Sequence, residues 1–412
     1  MTLAKPITLG RAWDILDSCI PAIESACPGL QSLTPAGDVR RVEPLVSSIV
    51  LVACVEDPGS ALDAFGRIPN LLPVQRRSDR RLSATHRNLP VEIVTATPDD
   101  HGSTLVYSTG SPLHVRQLEA RGRVGDPHPT EVAVYTSADL TFIVPELRHG
   151  SGEVEAAKAG QLPALIEQSH MRGDLHMHTR YSDGRDTVEE MVAECHRLGY
   201  EYMAITDHSS GAAASRTLKR DEVAEQREEI DRLRDKYAGL TILHGIEVDI
   251  LPSGRLDYDD DTLEQFDIVL ASLHEHDGQD GAQLTRRSLA AIRHPLVNIL
   301  CHPANQLVGH FDGYDLDFDT LYAAAIETGT ALEVDGAPSH MDLDSRRARS
   351  AATAGVTLTI DSDCHRVAAL GRQMGFGVGT ARRGWVGPDQ VLNARPLADL
   401  RTFIAAKRRG RQ

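Results

Sequence analysis

"GDLHMHTRYSDG", residues 173–184, sets His176 and His178 two positions apart, with Asp183 five residues beyond the second. On a β-strand, side chains at i and i+2 point the same way, so both imidazoles converge on one point. That is ligand geometry for a divalent cation, provided that further donors arrive from elsewhere in the chain. Surface histidine pairs at this spacing are common too. The rest of the sequence decides between the readings.

Working outward from this stretch, the chain alternates strictly. Short β-rich runs recur at "DLHMHT", "YMAITDH", "TILHGIEVDI", "DIVLASLHEH", "VNILCHP", "ALEVDG" and "TLTIDSDCH". Helical stretches such as "TVEEMVAECHRLG", "RDEVAEQREEIDRLRDKY" and "DTLYAAAIETG" lie between most of them. Seven βα units predict an α/β fold with a parallel barrel close to the eight-unit type. Barrels of this kind build their sites at the C-terminal ends of the strands. The candidate ligands fall there in order: His176, His178 and Asp183, then His208, Glu247, His274, His302, Asp363 and His365.

Imidazole and carboxylate without thiolate suit Zn²⁺, Mn²⁺ or Fe²⁺. Nine donors exceed what one ion can use, so a cluster of three divalent ions with Glu247 bridging two of them is expected. Divalent cations lower the pKa of water towards neutrality and neutralise phosphate oxygens, which makes phosphoester hydrolysis the natural reaction class. The other histidines read as ordinary core or surface residues: His196 mid-helix, His244 ahead of "GIEVD", His294 and His310 in loops. His276 is ambiguous, because it would share a face with His274 if that strand continued.

Composition narrows the class. With 412 residues, 41% hydrophobic and 25% charged, the chain has room for two or three domains with real cores and is not globally disordered. A formal charge of −16 argues against a broad basic surface that coats nucleic acid, although a local basic strip would serve a nucleic-acid substrate. No apolar run reaches bilayer length, and "MTLAKPITLGRAWDIL" lacks the apolar core of a signal peptide. Six cysteines without CxxC pairing fit a reducing compartment, so a cytoplasmic location is expected.

Residues 1–147 read as a smaller mixed α/β unit, with a helix at "RAWDILDSCIPAIESA" and strand-like runs at "LVSSIVLVACV", "LPVEIVTA" and "LTFIVPEL". Residues 148–172 read as a polar linker, and residues 173–412 as the barrel domain. Arg40 and Arg41, the strip Arg76, Arg77, Arg80 and Arg81, and the tail "KRRGRQ" are candidate phosphate contacts.

"DLHMHTRYSDG", "AITDHS", "GIEVDIL", "ASLHEH", "LCHPA" and "DSDCH" together resemble the complete motif set of the PHP (polymerase and histidinol phosphatase) family. Residues 173–395 resemble the PHP domain fused to bacterial and archaeal family X DNA polymerases, "MGFGVGTARRGWVGPDQVLN" being a further similar stretch. The resemblance implies a distorted seven-unit βα barrel with three metal ions and phosphoesterase activity. It gives the first ion His176, His178, Glu247 and Asp363, the second Glu247, His274 and His302, and the third Asp183, His208 and His365.

Residues 1–147 resemble only the later palm- and thumb-like parts of family X polymerases. "PAGDVRRVEPLVSSIVLV" is similar to the stretch that carries two catalytic aspartates two apart, but Ser48 and Val50 stand at their positions. The third aspartate matches Glu92, and "LVYSTGSPLHVRQLEAR" resembles a later nucleotide-pocket segment. Two-metal nucleotidyl transfer needs carboxylates paired on a strand face, so an inactive polymerase half is expected. Three functions then compete. One is a metal-dependent DNA phosphoesterase, a 3′–5′ exonuclease or 3′-end-processing enzyme of DNA repair, binding DNA weakly and salt-sensitively. The second is a small-molecule phosphomonoesterase of the histidinol-phosphatase type. The third is a non-catalytic, metal-stabilised DNA-binding or scaffold protein.

Overall fold

A computed structural model describes residues 5–409, apart from 70, 73, 74, 88, 122–124 and 213. The chain forms two compact units that divide between Pro163 and Ala164. In the first, β1 (Ile7–Thr8) leads into a helix, Leu9–Ala26, whose Thr8 hydroxyl accepts from the Arg11 N–H. Leu9, Ala12, Leu16, Cys19 and Ile23 recur at helical spacing and are its buried face. Strands β2 (Leu30–Ala36), β3 (Leu45–Val46), β4 (Ile49–Val55), β5 (Gln75–Ser78), β6 (Arg81–His86) and β7 (Leu89–Ala96) follow. β3 pairs with β1, and the other five form a sheet in the order β2-β4-β7-β6-β5. β4 and β7 are parallel in the middle of it, which is why "IVLVACV" is buried almost throughout.

Two sequence readings change here. "LTFIVPEL" forms no strand; Ile143 is buried, and the run ends in a 3-10 turn, Pro145–Leu147, because Pro145 has no N–H for a ladder. The linker expected at 148–172 is packed chain. Arg148 is fully buried and donates to the Ile143 carbonyl (3.0 Å) and to Glu131 (2.5 Å). Glu153, also buried, is paired with His114 (2.6 Å) and opens a helix, Glu153–Ala159. Ile166 already belongs to the core of the second unit.

The second unit is the barrel. β8 (Gly173–Asp174), β9 (Tyr202–Ile205), β10 (Thr241–Asp249), β11 (Ile268–Ser272), β12 (Ile299–Leu300), β13 (Ala331–Asp335) and β14 (Leu358–Asp361) pair consecutively. Every pairing between them is parallel. A bridge from Met177 to Cys364, with the His178 N–H on the Cys364 carbonyl at 2.9 Å, brings the two ends together, so the barrel is nearly closed. Helices with capped N-termini return the chain between strands; Val188–Arg197 starts on a reciprocal Thr187–Glu190 capping box.

Alternation within the strands explains where polarity goes. Leu243 and Glu247 share a face of β10, as do Ala331, Glu333 and Asp335 on β13. The lower, apolar ends of these faces pack with Leu400 and Ile404 of the helix Leu397–Arg409. The upper ends carry the polar groups. Among the described residues, no helix is long and apolar enough to cross a membrane.

Candidate metal centre

The backbone ladder of the first barrel strand stops at Asp174, before its two histidines. From there alternate N–H groups turn to side chains: Leu175 to Asp361 (2.7 Å), Met177 to the Thr206 hydroxyl (3.0 Å) and Thr179 to Asp207 (2.7 Å). Asp207 goes on to fix the loop that carries Asp183. It accepts from the Thr179 hydroxyl (2.6 Å), from the Ser182 N–H (3.1 Å) and hydroxyl (2.5 Å), and from Gln226 (2.7 Å). The glycine of "SDG" is required by close approach, because a Cβ on Gly184 would stand 2.5 Å from the His178 carbonyl carbon.

All nine candidate ligands meet at this end of the barrel. His176, His178, Glu247, His302, Asp363 and His208 are buried, and His274, Asp183 and His365 partly so. His178 Nε2 lies 3.1 Å from His176 Nε2 and 3.0 Å from Asp363. Glu247 Oε2 is 3.4 and 3.6 Å from the same two imidazoles. Its other oxygen is 3.2 Å from His274 Nε2 and 2.9 Å from His302 Nε2. Asp183 is 3.5 Å from His208 Nε2 and 3.2 Å from His365 Nε2. Donors sharing one ion at bonds of about 2.1 Å lie roughly 3–3.5 Å apart, which is the spacing seen here.

The hydrogen bonds fit cations better than they fit each other. Buried Glu247 Oε2, Asp183 Oδ1 and His302 Nδ1 have no hydrogen-bond partner. Burial and the neighbouring His208 and His365 hold His178 near pKa 3, so its ring stays neutral with a lone pair to give. Three rings have their other nitrogen taken: His176 Nδ1 by Glu333 (2.7 Å), His274 Nδ1 by Asp249 (2.6 Å) and His365 Nδ1 by the Asp363 carbonyl (3.0 Å). In each case Nε2 is left for a ligand bond.

The grouping differs in detail from the sets that the resemblance implies. His208 also reaches Glu247 Oε2 through Nδ1 at 2.7 Å, so it stands between two groups rather than in one. The Cys301 thiol, 3.5 Å from Glu247 Oε1, joins the cluster, with burial holding it protonated. His276 is exposed and accepts from the Gly278 N–H, away from the cluster. His244 is buried against Gln226 and Phe266.

Sequence reasoning missed the supporting carboxylates Asp207, Asp249 and Glu333, and also His340. The first two lie inside the quoted "TDH" and "GIEVD", and Glu333 shares the inward face of "ALEVD". Each was legible as a charge on a strand that must be buried. Glu333 is a useful test, because it also accepts from the His302 N–H (2.8 Å). Glu333→Gln is expected to weaken Mn²⁺ binding about 10–100-fold in a chelator competition. Unchanged affinity would remove Glu333 from the site's support.

The basic candidates behave otherwise. Arg40 donates to both oxygens of Glu131 (2.9 and 2.6 Å), and Arg41 is buried against Asp38 (2.6 Å) and the Thr109 carbonyl. Both hold their own unit together through these pairs. Arg76, Arg80 and Arg81 are exposed but paired with Asp63, Asp100 and Glu92, while Arg77 donates to Ser83. In the tail, Lys407 is buried on the Ile292 carbonyl (2.6 Å) and Arg408 donates to the Phe266 carbonyl; residues 410–412 lie outside the described part.

A parallel barrel with imidazoles and carboxylates gathered at one mouth defines a metal-dependent hydrolase of the phosphoesterase class. Residues 174–334 match the PHP domain. Over 389 residues the chain is 35% identical to "DNA polymerase/3'-5' exonuclease PolX" of Bacillus subtilis (strain 168), covering 90% of this chain and 68% of that one. The chain belongs to the PHP domain family, and the match to the PolX chain runs over both of its units. It is also 29% identical over 230 residues to a probable phosphatase of Syntrophotalea carbinolica, covering 53% of this chain and 90% of that one. A probable phosphatase of Shewanella sp. (strain ANA-3) is 32% identical over 237 residues, covering 55% and 88%.

Proposed function

We propose that the chain holds three divalent ions (Mn²⁺, Zn²⁺ or Fe²⁺) through His176, His178, Asp183, His208, Glu247, His274, His302, Asp363 and His365, and hydrolyses phosphodiesters at DNA 3′ ends. The observation that carries this reading is Glu247, whose two oxygens face different imidazole pairs, as a bridging carboxylate requires. Bound ions would supply Lewis acidity, neutralising phosphate charge and lowering the pKa of water. The chain's own part is to fix the donors: Glu333 and Asp249 orient His176 and His274, and Asp207 pins the Asp183 loop.

Similarity to a PolX chain along both units favours DNA over a small substrate. A catalytically silent polymerase half would serve as a docking platform. The phosphatase relatives support a second reading, hydrolysis of a small phosphomonoester. Pure protein with Mn²⁺, offered 3′-labelled single-stranded DNA and a panel of monoesters, separates the two. Trimming of DNA from the 3′ end is expected, falling as salt rises. His176→Ala and Asp363→Ala are expected to abolish it. Efficient monoester turnover with intact DNA would overturn the DNA reading.

A further inference from the structure

We propose that the loop after His302 is a seat for the base of the nucleotide at the scissile phosphate, built from Leu307 and Phe311. The proposal rests on the phosphoester reading above and adds the recognition of its leaving end.

Leu307 and Phe311 are each 43% exposed, which is unusual for large apolar side chains in this chain. They face each other as an antiparallel bridge, each N–H donating to the other's carbonyl at 2.8 Å. Directly opposed residues project to the same side, so the two side chains make one apolar surface. Leu307 lines the same cavity, of about 400 Å³, as His208, His274, His302 and Asp363. The Leu307 edge of the surface therefore borders the metal centre.

The loop is also held stiffly. Tyr314 packs edge-on against Phe311 at 5.6 Å, and its hydroxyl donates to the His274 carbonyl at 2.9 Å. Asn305 donates to the same carbonyl at 2.7 Å. The turn back needs Gly313, at φ +93°, where a Cβ would meet the Ala304 carbonyl oxygen at 2.8 Å. His340 joins the loop to the site: its Nδ1 donates to the Gln306 carbonyl (3.0 Å), its ring lies 5.9 Å from that of His302, and the Gln306 amide donates to its carbonyl (2.7 Å). Exposed apolar side chains on a fixed support, beside a phosphoester site, suit the π-face of a base. Two side chains cover far less than the roughly 1,200 Å² that a stable protein partner needs. The surface offers no hydrogen-bond readout, so any base should serve.

The test uses the full chain with Mn²⁺ and two single-stranded oligonucleotides that differ only in the 3′ residue, thymidine or an abasic tetrahydrofuran. Wild type is expected to release the thymidine end about tenfold faster in kcat/KM. Leu307→Ser with Phe311→Ser should bring both ends to the same slow rate, and Phe311→Trp should keep the preference. Equal rates in wild type, equal slowing of both ends in the double variant, or a fall in solution mass on that substitution would each overturn the seat. If neither oligonucleotide is cut while monoesters are, the DNA reading fails and the comparison moves to thymidine 5′-monophosphate against deoxyribose 5-phosphate. The same preference there supports the seat, and its absence overturns it.

Discussion

Glu247→Ala is expected to leave the protein with about one divalent ion in place of about three, and to slow phosphoester hydrolysis by at least about a thousandfold. Among the described residues, no other side chain stands in so many of the candidate carboxylate–imidazole ligand pairs. One oxygen serves His274 and His302, while the other stands among His176, His178 and His208. Removing it underligands two ions together, whereas the Asp183–His208–His365 group keeps its own donors. Glu247→Gln preserves the volume but offers one weak oxygen donor, so it should behave nearly as badly. Elemental analysis of protein purified without chelator, beside steady-state hydrolysis and a thermal melt to confirm folding, gives the measurement. A folded variant with its full metal complement would contradict the bridging role.

Template-directed nucleotide incorporation should be absent, in Mg²⁺ and in Mn²⁺ alike. β4 and β7 run parallel with Val50 directly across from Glu92, so the sheet carries the positions where catalytic carboxylates would meet. Only one is filled, and Glu92 is paired with Arg81. Val50 packs beside Ala36, Val52 and Val94, against the close approach of Gly37. Ser48→Asp with Val50→Asp should therefore stay inactive, since the second aspartate would enter an apolar contact and Glu92 would still be neutralised. Primer extension above background that disappears in Glu92→Ala would show the reading to be wrong.

The candidate ligands were legible because chemistry and period coincide. "HMH" just past one strand end, "EVD" in a strand and "DSDCH" after one put polar groups where a site explains them, and barrel topology sends all such ends to one mouth. The arginines show the opposite case. Arg40 and Arg41 read in sequence as an exposed "RR" pair, but in the fold Arg40 is paired with Glu131, which arrives from 91 residues away. In the tail, Lys407 looks solvated in sequence and ends buried under a carbonyl 115 residues distant.

By itself the sequence determined the seven βα units and named nine candidate donors, since each depends on residue type and local spacing. Tertiary structure decided which nitrogen of His176 and of His274 is free, because Glu333 and Asp249 take the other one. It also decided that Arg148 and Glu153, in the stretch read as linker, are buried, and that Leu307 and Phe311 stay exposed. These outcomes depend on pairings between distant parts of the chain, where one partner's geometry fixes the other's protons and exposure, and a linear pattern carries no record of that.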